Sequence, residues 1–241
     1  MMPPLIILLP LLLVGSVAST IAGGGLGILL TVVASMFIDI RTSVVLVGLL
    51  GFIIQLAKIS HFRKDIQWQM VGWYVALGIP TSIVGAVLLF VLPERWVEIG
   101  LGTVCLIFVF MQMRRQKIRI PPTRTNLLLA GAGNGLLSGM IGNGVLLRSQ
   151  ALLAFGLTKE QFVGTSSLLA FILNLSRNTV YLQQFPWTQE TVVLLLLSIP
   201  VVMIGVRLGR YILQFVSPNT FELLMSFVIV AGAIKLLFFP S

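Results

Sequence analysis

Long runs of apolar residues, separated by short polar segments, follow one another along the chain. The first run extends from Leu5 to Ile38 without a charged residue. At about 1.5 Å per residue it would form a helix of roughly 50 Å, well beyond the roughly 30 Å of a bilayer core. The glycines at 23–25 are the expected break, because unwound backbone at membrane depth must be buried in protein or line a cavity.

The same pattern continues through both halves of the chain. Further apolar segments span residues 42–57, 71–92, 99–113, 127–155, 162–182, 192–213 and 221–239, with polar loops at 58–69 and 114–125. Gly142-Asn143-Gly144 interrupts the overlong segment 127–155. The pattern predicts an all-α polytopic membrane protein with four to five membrane helices in each half. The predicted domains are membrane repeat 1 (1–113), a basic linker (114–125) and membrane repeat 2 (126–241).

The two halves match when the chain is displaced by about 119 or 120 residues. The matched pairs are Ser19 with Ser138, Gly25 with Gly144, Gln55 with Asn174, Lys58 with Arg177, Trp68 with Trp187, Pro80 with Pro200 and Gly85 with Gly205. The loops 58–69 and 114–125 are basic, which places them on the cytoplasmic side. The second-half loop 183–190 has no basic residue, whereas Arg207 and Arg210 accompany the turn that matches Pro93. This reversal of charge predicts inverted-topology repeats, each with a broken or re-entrant first segment.

The composition agrees with a membrane protein and excludes several other classes. Of the 241 residues, 57% are hydrophobic and only 10% are charged, which is more apolar surface than a soluble domain can bury. The net charge of +9 arises in short loops that flank apolar segments, so we expect a lipid bilayer and no nucleic acid as the partner. One cysteine and one histidine exclude a Cys/His metal cage, and no cofactor is expected. The chain has neither an HExxH motif, nor a Gly-x-Ser-x-Gly elbow, nor a P-loop, so it is not expected to be an enzyme or an ATP-driven pump.

The two glycine breaks are the first candidates for a binding site. Broken helices bind substrate near the midplane in transporters with inverted repeats. A helix N-terminus after such a break offers N–H groups and a positive dipole end, which suit an anion. The candidates at the breaks are Gly24, Gly25, Asn143 and Gly144. The alternative is close helix packing through small residues, and we assign that role to Gly131-x-x-x-Gly135-x-x-x-Gly139.

Polar side chains in the second half extend this candidate site. Arg148 follows Gly144 by four positions within an apolar stretch, and a charge at membrane depth is usually functional or paired. Its partner is either an anionic ligand or the interface to which the side chain snorkels. The other candidates lie on one helical face or at matched basic positions: Thr165, Ser166, Ser167, Asn174, Gln55, Arg177 and Lys58. The alternative assigns these residues to helix contacts and helix ends. All acidic residues lie in loops or at segment ends, which argues against a carboxylate proton relay.

Three motifs in this order resemble the TauE/SafE family of sulfite and organosulfonate exporters. They are Ala22-Gly23-Gly24-Gly25, the series Gly135-x-x-Ser138-Gly139-x-x-Gly142-x-Gly144, and Thr165-Ser166-Ser167-Leu168 with Asn174. The similarity covers nearly the whole chain. It implies a secondary transporter in the bacterial cell (inner) membrane that exports a small anion such as sulfite, thiosulfate or an organosulfonate. The first half has Val45-Leu46-Val47-Gly48 where the family has polar groups, so we expect the anion nearer the second break.

We therefore expect alternating access by two inverted repeats, with the anion held at the broken helices near the bilayer midplane. Any proton coupling would travel on the substrate, for example as hydrogensulfite, or through a basic residue. The alternatives are a permease for another solute, such as a metal cation or a carboxylate, and a non-transporting membrane scaffold subunit.

Overall fold

The computed structural model describes residues 9–10, 13, 16–17, 26–113, 121–142, 144–213 and 218–238. These residues form helices, turns and short loops and contain no β-strand, as the predicted all-α class requires. The α-helices are α1 (Leu26–Ala34), α2 (Ile40–Phe62), α3 (Trp68–Val91), α4 (Glu94–Met113), α5 (Arg124–Ile141), α6 (Val145–Leu153), α7 (Lys159–Gln184), α8 (Gln189–Leu213) and α9 (Pro218–Phe238).

Helix lengths recur in the same order in the two halves of the described chain. The nine-residue α1 precedes helices of 23, 24 and 20 residues, and the nine-residue α6 precedes helices of 26, 25 and 21 residues. Pro80 lies inside α3, and its sequence counterpart Pro200 lies inside α8. The structural order thus agrees with the duplication found in the sequence.

Two predicted boundaries are wrong by several residues. The segment 58–69 is not a continuous polar loop, because α2 extends to Phe62 and a 3₁₀ turn follows at Arg63–Asp65. Likewise α4 begins at Glu94, five residues before the predicted apolar segment 99–113. Polar residues end an apolar stretch, but they are compatible with helical hydrogen bonding unless a proline or glycine intervenes. At the start of α2, the Asp39 carboxylate accepts a hydrogen bond from the Thr42 N–H at 2.8 Å and caps the helix.

The helices form two compact units, and each unit takes elements from both halves of the sequence. Unit 1 comprises residues 1–50, 93–113 and 185–241, and unit 2 comprises residues 51–92 and 114–184. Unit 2 therefore contains α3, α5, α6, α7 and the second part of α2. The packing of α3 from the first half against α5 from the second half dominates this unit.

Close packing of α3 and α5 depends on the glycines of α5. A Cβ atom at Gly131, Gly135 or Gly139 would collide with main-chain atoms of α3, at Tyr74, Gly78 and Ser82 respectively. Each collision involves backbone atoms, joined at Gly135 by the Thr81 side chain, so these positions require glycine. The packing role predicted for this glycine series is confirmed. The close approach also fixes which residues of α3 face α5.

Unit 1 uses basic side chains to satisfy helix C-termini. Arg95 donates to the carbonyl oxygens of Leu236, at 2.7 Å, and Leu237, near the end of α9. Lys235 donates to the Ser35 carbonyl at 3.0 Å, just beyond α1. Cations at helix C-termini offset the negative end of the dipole and bind unsatisfied carbonyl groups. These contacts account structurally for basic residues that lie among apolar ones.

One helix of the described part, α3, is long and apolar enough to cross a membrane by the criteria of length and composition. Shorter apolar stretches within helices are Ile40–Phe52, Gln189–Gly205 and Ile229–Phe238. Large apolar side chains are exposed along α3 and α8, among them Val84, Val91 and Leu196. Such surfaces are typical of helices that face lipid.

Candidate functional site

The site lies in unit 2, at the interval between α5 and α6. The helix α5 ends at Ile141, Gly142 adopts the left-handed conformation with φ 82°, and α6 begins at Val145. This conformation is strained for any residue with a side chain, so glycine is required at position 142. Gly144 is the N-cap residue of α6 and provides no side chain to cap the helix. Asn143 lies outside the described residues.

Arg177 and Tyr181 of α7 bind the C-terminal end of α5. The Arg177 guanidinium donates to the Ser138 carbonyl oxygen at 2.5 Å, and the Tyr181 hydroxyl donates to the Gly139 carbonyl oxygen at 2.5 Å. The guanidinium also lies 5.9 Å from the centre of the Tyr181 ring. Both side chains are buried. The charge of Arg177 therefore meets the negative end of the α5 dipole.

Arg148, unlike Arg177, lies at the positive end of a helix dipole, near the start of α6. It is the fourth residue of this helix, where the dipole end is positive, and its side chain is half-buried. Its Nε atom donates a hydrogen bond to the Ser166 hydroxyl oxygen of α7 at 3.0 Å. The carboxylates of unit 2 are Asp65 and Glu160, and no ion pair joins either of them to Arg148 among the described residues. Arg148 thus has a neutral partner and an uncompensated charge within the described part of unit 2.

Two residues that the sequence did not single out, Asn134 of α5 and Tyr74 of α3, complete this cluster. Both side chains are fully buried, and the Tyr74 hydroxyl lies near the Asn134 amide and Arg148. A Cβ atom at Gly144 would overlap the Asn134 carboxamide, so the amide points at the N-cap of α6. Neither the Tyr74 hydroxyl nor either amide atom of Asn134 makes a hydrogen bond of good geometry among the described residues, although the hydroxyl and the amide interact with each other.

The remaining candidates from the sequence are distributed around this cluster. Thr165 is fully buried, and its hydroxyl oxygen accepts a hydrogen bond from the Gln67 N–H at 3.0 Å, which ties α7 to the segment before α3. Asn174 is buried beside Gly51, and Gln55 is half-buried on α2. Ser167 is also buried on α7. Gly24 and Gly25 lie outside the described residues, as does the side chain of Lys58.

The repeat-related positions of unit 1 carry apolar residues. The sequence counterparts of Arg148, Ser166 and Tyr74 are Leu29, Val47 and either Val193 or Leu194. Val47 and Leu194 pack with Leu30, Ala34 and Leu46 in a buried apolar cluster. The polar cluster of unit 2 therefore has apolar residues in unit 1 at the positions that match Arg148, Ser166 and Tyr74.

The cluster offers mainly hydrogen-bond donors around one positive charge. The donors are the guanidinium of Arg148, the Ser166 hydroxyl, the Tyr74 hydroxyl and the Asn134 amide nitrogen. Because Ser166 accepts from Arg148, its own proton is directed elsewhere. Among the described residues, no group of three or more His, Cys, Asp and Glu side chains is placed to hold a metal ion. This chemistry suits a small oxyanion.

Comparison with known proteins identifies the family. The sequence profile described as sulfite exporter TauE/SafE matches residues 7–236 of the chain. The chain belongs to this family. No curated protein and no solved structure matches it. The TauE/SafE family consists of integral membrane transporters, so the chain is a membrane protein of the sulfite or small-anion exporter type. The resemblance stated from the sequence motifs is confirmed over nearly the whole chain.

Proposed function

We propose that the chain exports a small, singly charged oxyanion, such as hydrogensulfite or an organosulfonate, and that it binds this anion at the N-terminus of α6. Arg148 supplies the positive charge, and Ser166 holds the guanidinium and donates its own proton to the anion. The backbone N–H groups of the first turn of α6 add a positive dipole end. Gly144 keeps the N-cap clear of a side chain.

This proposal depends mainly on Arg148, which has no carboxylate partner within the described part of unit 2. A charge at membrane depth costs about 2.5–3.5 kcal/mol on insertion scales and is retained where it serves a function or a pairing. Arg148 lies near the N-terminus of α6, where the helix dipole is also positive. Its hydrogen-bond partner is the neutral Ser166 hydroxyl at 3.0 Å. Arg177, also in unit 2, has the Ser138 carbonyl and the end of α5 to offset its charge. An anion is the group that would neutralise Arg148.

Transport by alternating access follows from the repeated architecture. The halves show matched helix orders and opposite loop charges, which support inverted repeats in a multi-pass protein of the cell (inner) membrane. In such proteins one group of helices moves against another around a fixed site. We place the glycine breaks of both halves, including Gly24 and Gly25, near the midplane. Proton coupling would travel on the substrate, since the cluster contains no carboxylate.

The other sequence candidates take supporting roles in this proposal. Thr165 holds α7 against the segment before α3 through its bond with Gln67, and it thereby fixes the helix that carries Ser166. Arg177 anchors the end of α5. Ser167, Asn174 and Gln55 are polar positions along the same unit. In the sequence, Asn143 is the middle residue of the break, and Lys58 comes four residues before the end of α2.

A ligand screen of the purified protein tests this function. Thermal unfolding in detergent is followed with sulfite, thiosulfate, sulfoacetate, an alkanesulfonate, acetate and a divalent cation in turn. A ligand that binds only the folded state raises the unfolding temperature by mass action. We expect stabilisation by singly charged sulfur oxyanions and none by the cation. Stabilisation by the cation alone, or by no anion in the panel, would contradict the proposal.

A further inference from the structure

The buried pair of Asn134 and Tyr74 lies against the proposed anion site and has no assigned role. Tyr74 is held in place because its main chain packs directly on Gly131 of α5. Asn134 follows one helical turn later on α5 and faces Gly144 at the N-cap of α6. Three helices therefore converge on these two polar side chains. Both are fully buried.

The unsatisfied polar atoms of Asn134 and Tyr74 distinguish an anion that carries a hydrogen-bond donor from one that does not. Buried polar atoms are almost always hydrogen-bonded, yet the Tyr74 hydroxyl and both amide atoms of Asn134 make no hydrogen bond of good geometry among the described residues. A bare anion accepts hydrogen bonds and would satisfy the hydroxyl and the amide nitrogen. The single Tyr74 proton cannot serve both the anion and the Asn134 amide oxygen, so an anion that carries no hydrogen donor leaves one of these two acceptors short of a donor.

We propose that Asn134 and Tyr74 determine specificity by selecting a singly charged oxyanion that also carries an uncharged hydrogen-bond donor. The Asn134 amide oxygen accepts from that donor, while the Tyr74 hydroxyl and the amide nitrogen donate to the anionic oxygens. The donor is either a hydroxyl on a short sulfonate or the proton of a hydrogen-bearing oxyanion. This inference rests on the proposed function, because Arg148 supplies the charge that the anion must meet.

The donor must be uncharged for an electrostatic reason. Arg148 interacts electrostatically with both Tyr74 and Arg177, so a second positive charge acts on the guanidinium that would bind the anion. Because Arg177 is already offset by the end of α5, the remaining charge matches a monoanion. An ammonium donor, as in taurine, would be repelled by the two guanidinium groups. A hydroxyl donor meets no such repulsion.

Pairs of matched ligands test the inference on the unmodified protein. Binding of isethionate is compared with that of ethanesulfonate, which lacks only the hydroxyl, and with that of taurine. At an acidic pH that favours hydrogensulfite over sulfite, hydrogensulfite is compared with methanesulfonate. We expect the donor-bearing monoanion to bind about tenfold more tightly in at least one pair, and taurine to bind more weakly than isethionate. The pair that shows the preference identifies the source of the donor. Equal binding within both pairs would overturn the proposal.

Two variants assign the preference to its residues. Asn134→Leu is expected to abolish the preference within the pair and also to weaken ethanesulfonate about tenfold, because the amide nitrogen no longer donates to the anionic oxygens. Tyr74→Phe removes one oxygen and should weaken both members of the pair equally, by about tenfold. Asn126→Leu, on the same helix, replaces an amide that bonds the Pro121 carbonyl and serves as the matched control. If Tyr74→Phe or Asn134→Leu binds with the full preference and affinity, the assignment is wrong.

The variant Arg148→Leu separates the two proposals. If it binds every anion as the unmodified protein does, the proposed function fails. If it loses all anions while Asn134→Leu retains the full preference for isethionate, only the role of Asn134 fails.

Discussion

The Nε atom of Arg148 lies 3.0 Å from the Ser166 hydroxyl oxygen, and the hydrogen bond between them joins α6 to α7. This contact fixes the orientation of a guanidinium beside the N-terminus of α6. An arginine in this position supplies a positive charge, and the Ser166 hydroxyl can donate its own proton to a bound ligand. These are the two groups that a small anion site needs.

Removal of the Ser166 hydroxyl tests whether this orientation matters. We expect Ser166→Ala to weaken binding of sulfite or sulfonate about tenfold, because the guanidinium loses its anchor and the anion loses a donor. Binding is measured by the ligand-dependent shift of the unfolding temperature. Thr179→Ala on the same helix removes a hydroxyl that bonds the Ser176 carbonyl, and it should bind as before. Equal affinity in the two variants would place Ser166 outside the site.

Gly144 is expected to tolerate no side chain. An alanine Cβ would overlap the Asn134 side chain and would lie 2.7 Å from the main-chain carbonyl oxygen of Asn134. A rotamer change of Asn134 alone would therefore not relieve the clash. Gly144→Ala should therefore reduce transport more than tenfold and destabilise the fold by about 1–3 kcal/mol.

Gly72 on α3 provides the matched control for this substitution. A Cβ atom there would meet no atom within 4 Å. Gly72→Ala should keep full transport, and the gain in helix propensity should leave stability equal or slightly higher. Similar losses of transport in the two variants would show that the position next to Asn134 has no special role.

Arg148 and Arg177 should affect stability in opposite directions. Arg177→Leu removes a charged hydrogen bond to the Ser138 carbonyl, and we expect it to lower the free energy of unfolding by about 1.5–3 kcal/mol. Arg148→Leu removes an uncompensated charge, so it should raise the stability of the substrate-free protein by roughly 1–3 kcal/mol. Unfolding temperatures in detergent, without added anion, measure both. A loss of stability in Arg148→Leu as large as that in Arg177→Leu would indicate that Arg148 serves the fold.

The sequence predicted the parts of the fold that depend on periodicity and on special backbone residues. The glycine series of α5 was assigned to helix packing because its spacing repeats every four residues, and the contacts with Tyr74, Gly78 and Ser82 agree. The duplication was visible because matched glycine, proline and tryptophan residues keep their order. The ends of α2 and α4 were predicted wrongly because polarity reports the bilayer boundary, whereas the helix continues until its hydrogen bonding stops.

The candidate site was only partly accessible from the sequence. Arg148 and Ser166 stood out because a charge and a row of hydroxyl residues are unusual in apolar segments. Asn134 and Tyr74 were missed, since each stands among apolar or glycine neighbours in its helix and their residue numbers differ by 60. Only the close packing of α3 on α5 brings them together. The available signal was Asn134 between Gly133 and Gly135, because an amide among small residues is brought close to a neighbouring helix.

Counterflow of labelled sulfite in proteoliposomes tests the central claim most directly. The unmodified protein is compared with Arg148→Leu, Arg148→Lys and Arg63→Leu, the last of which replaces an exposed arginine in the same unit. The account predicts that Arg148→Leu loses sulfite exchange, that Arg148→Lys retains part of it, and that Arg63→Leu matches the unmodified protein. Full exchange by folded Arg148→Leu would contradict the assignment of the anion site to the start of α6.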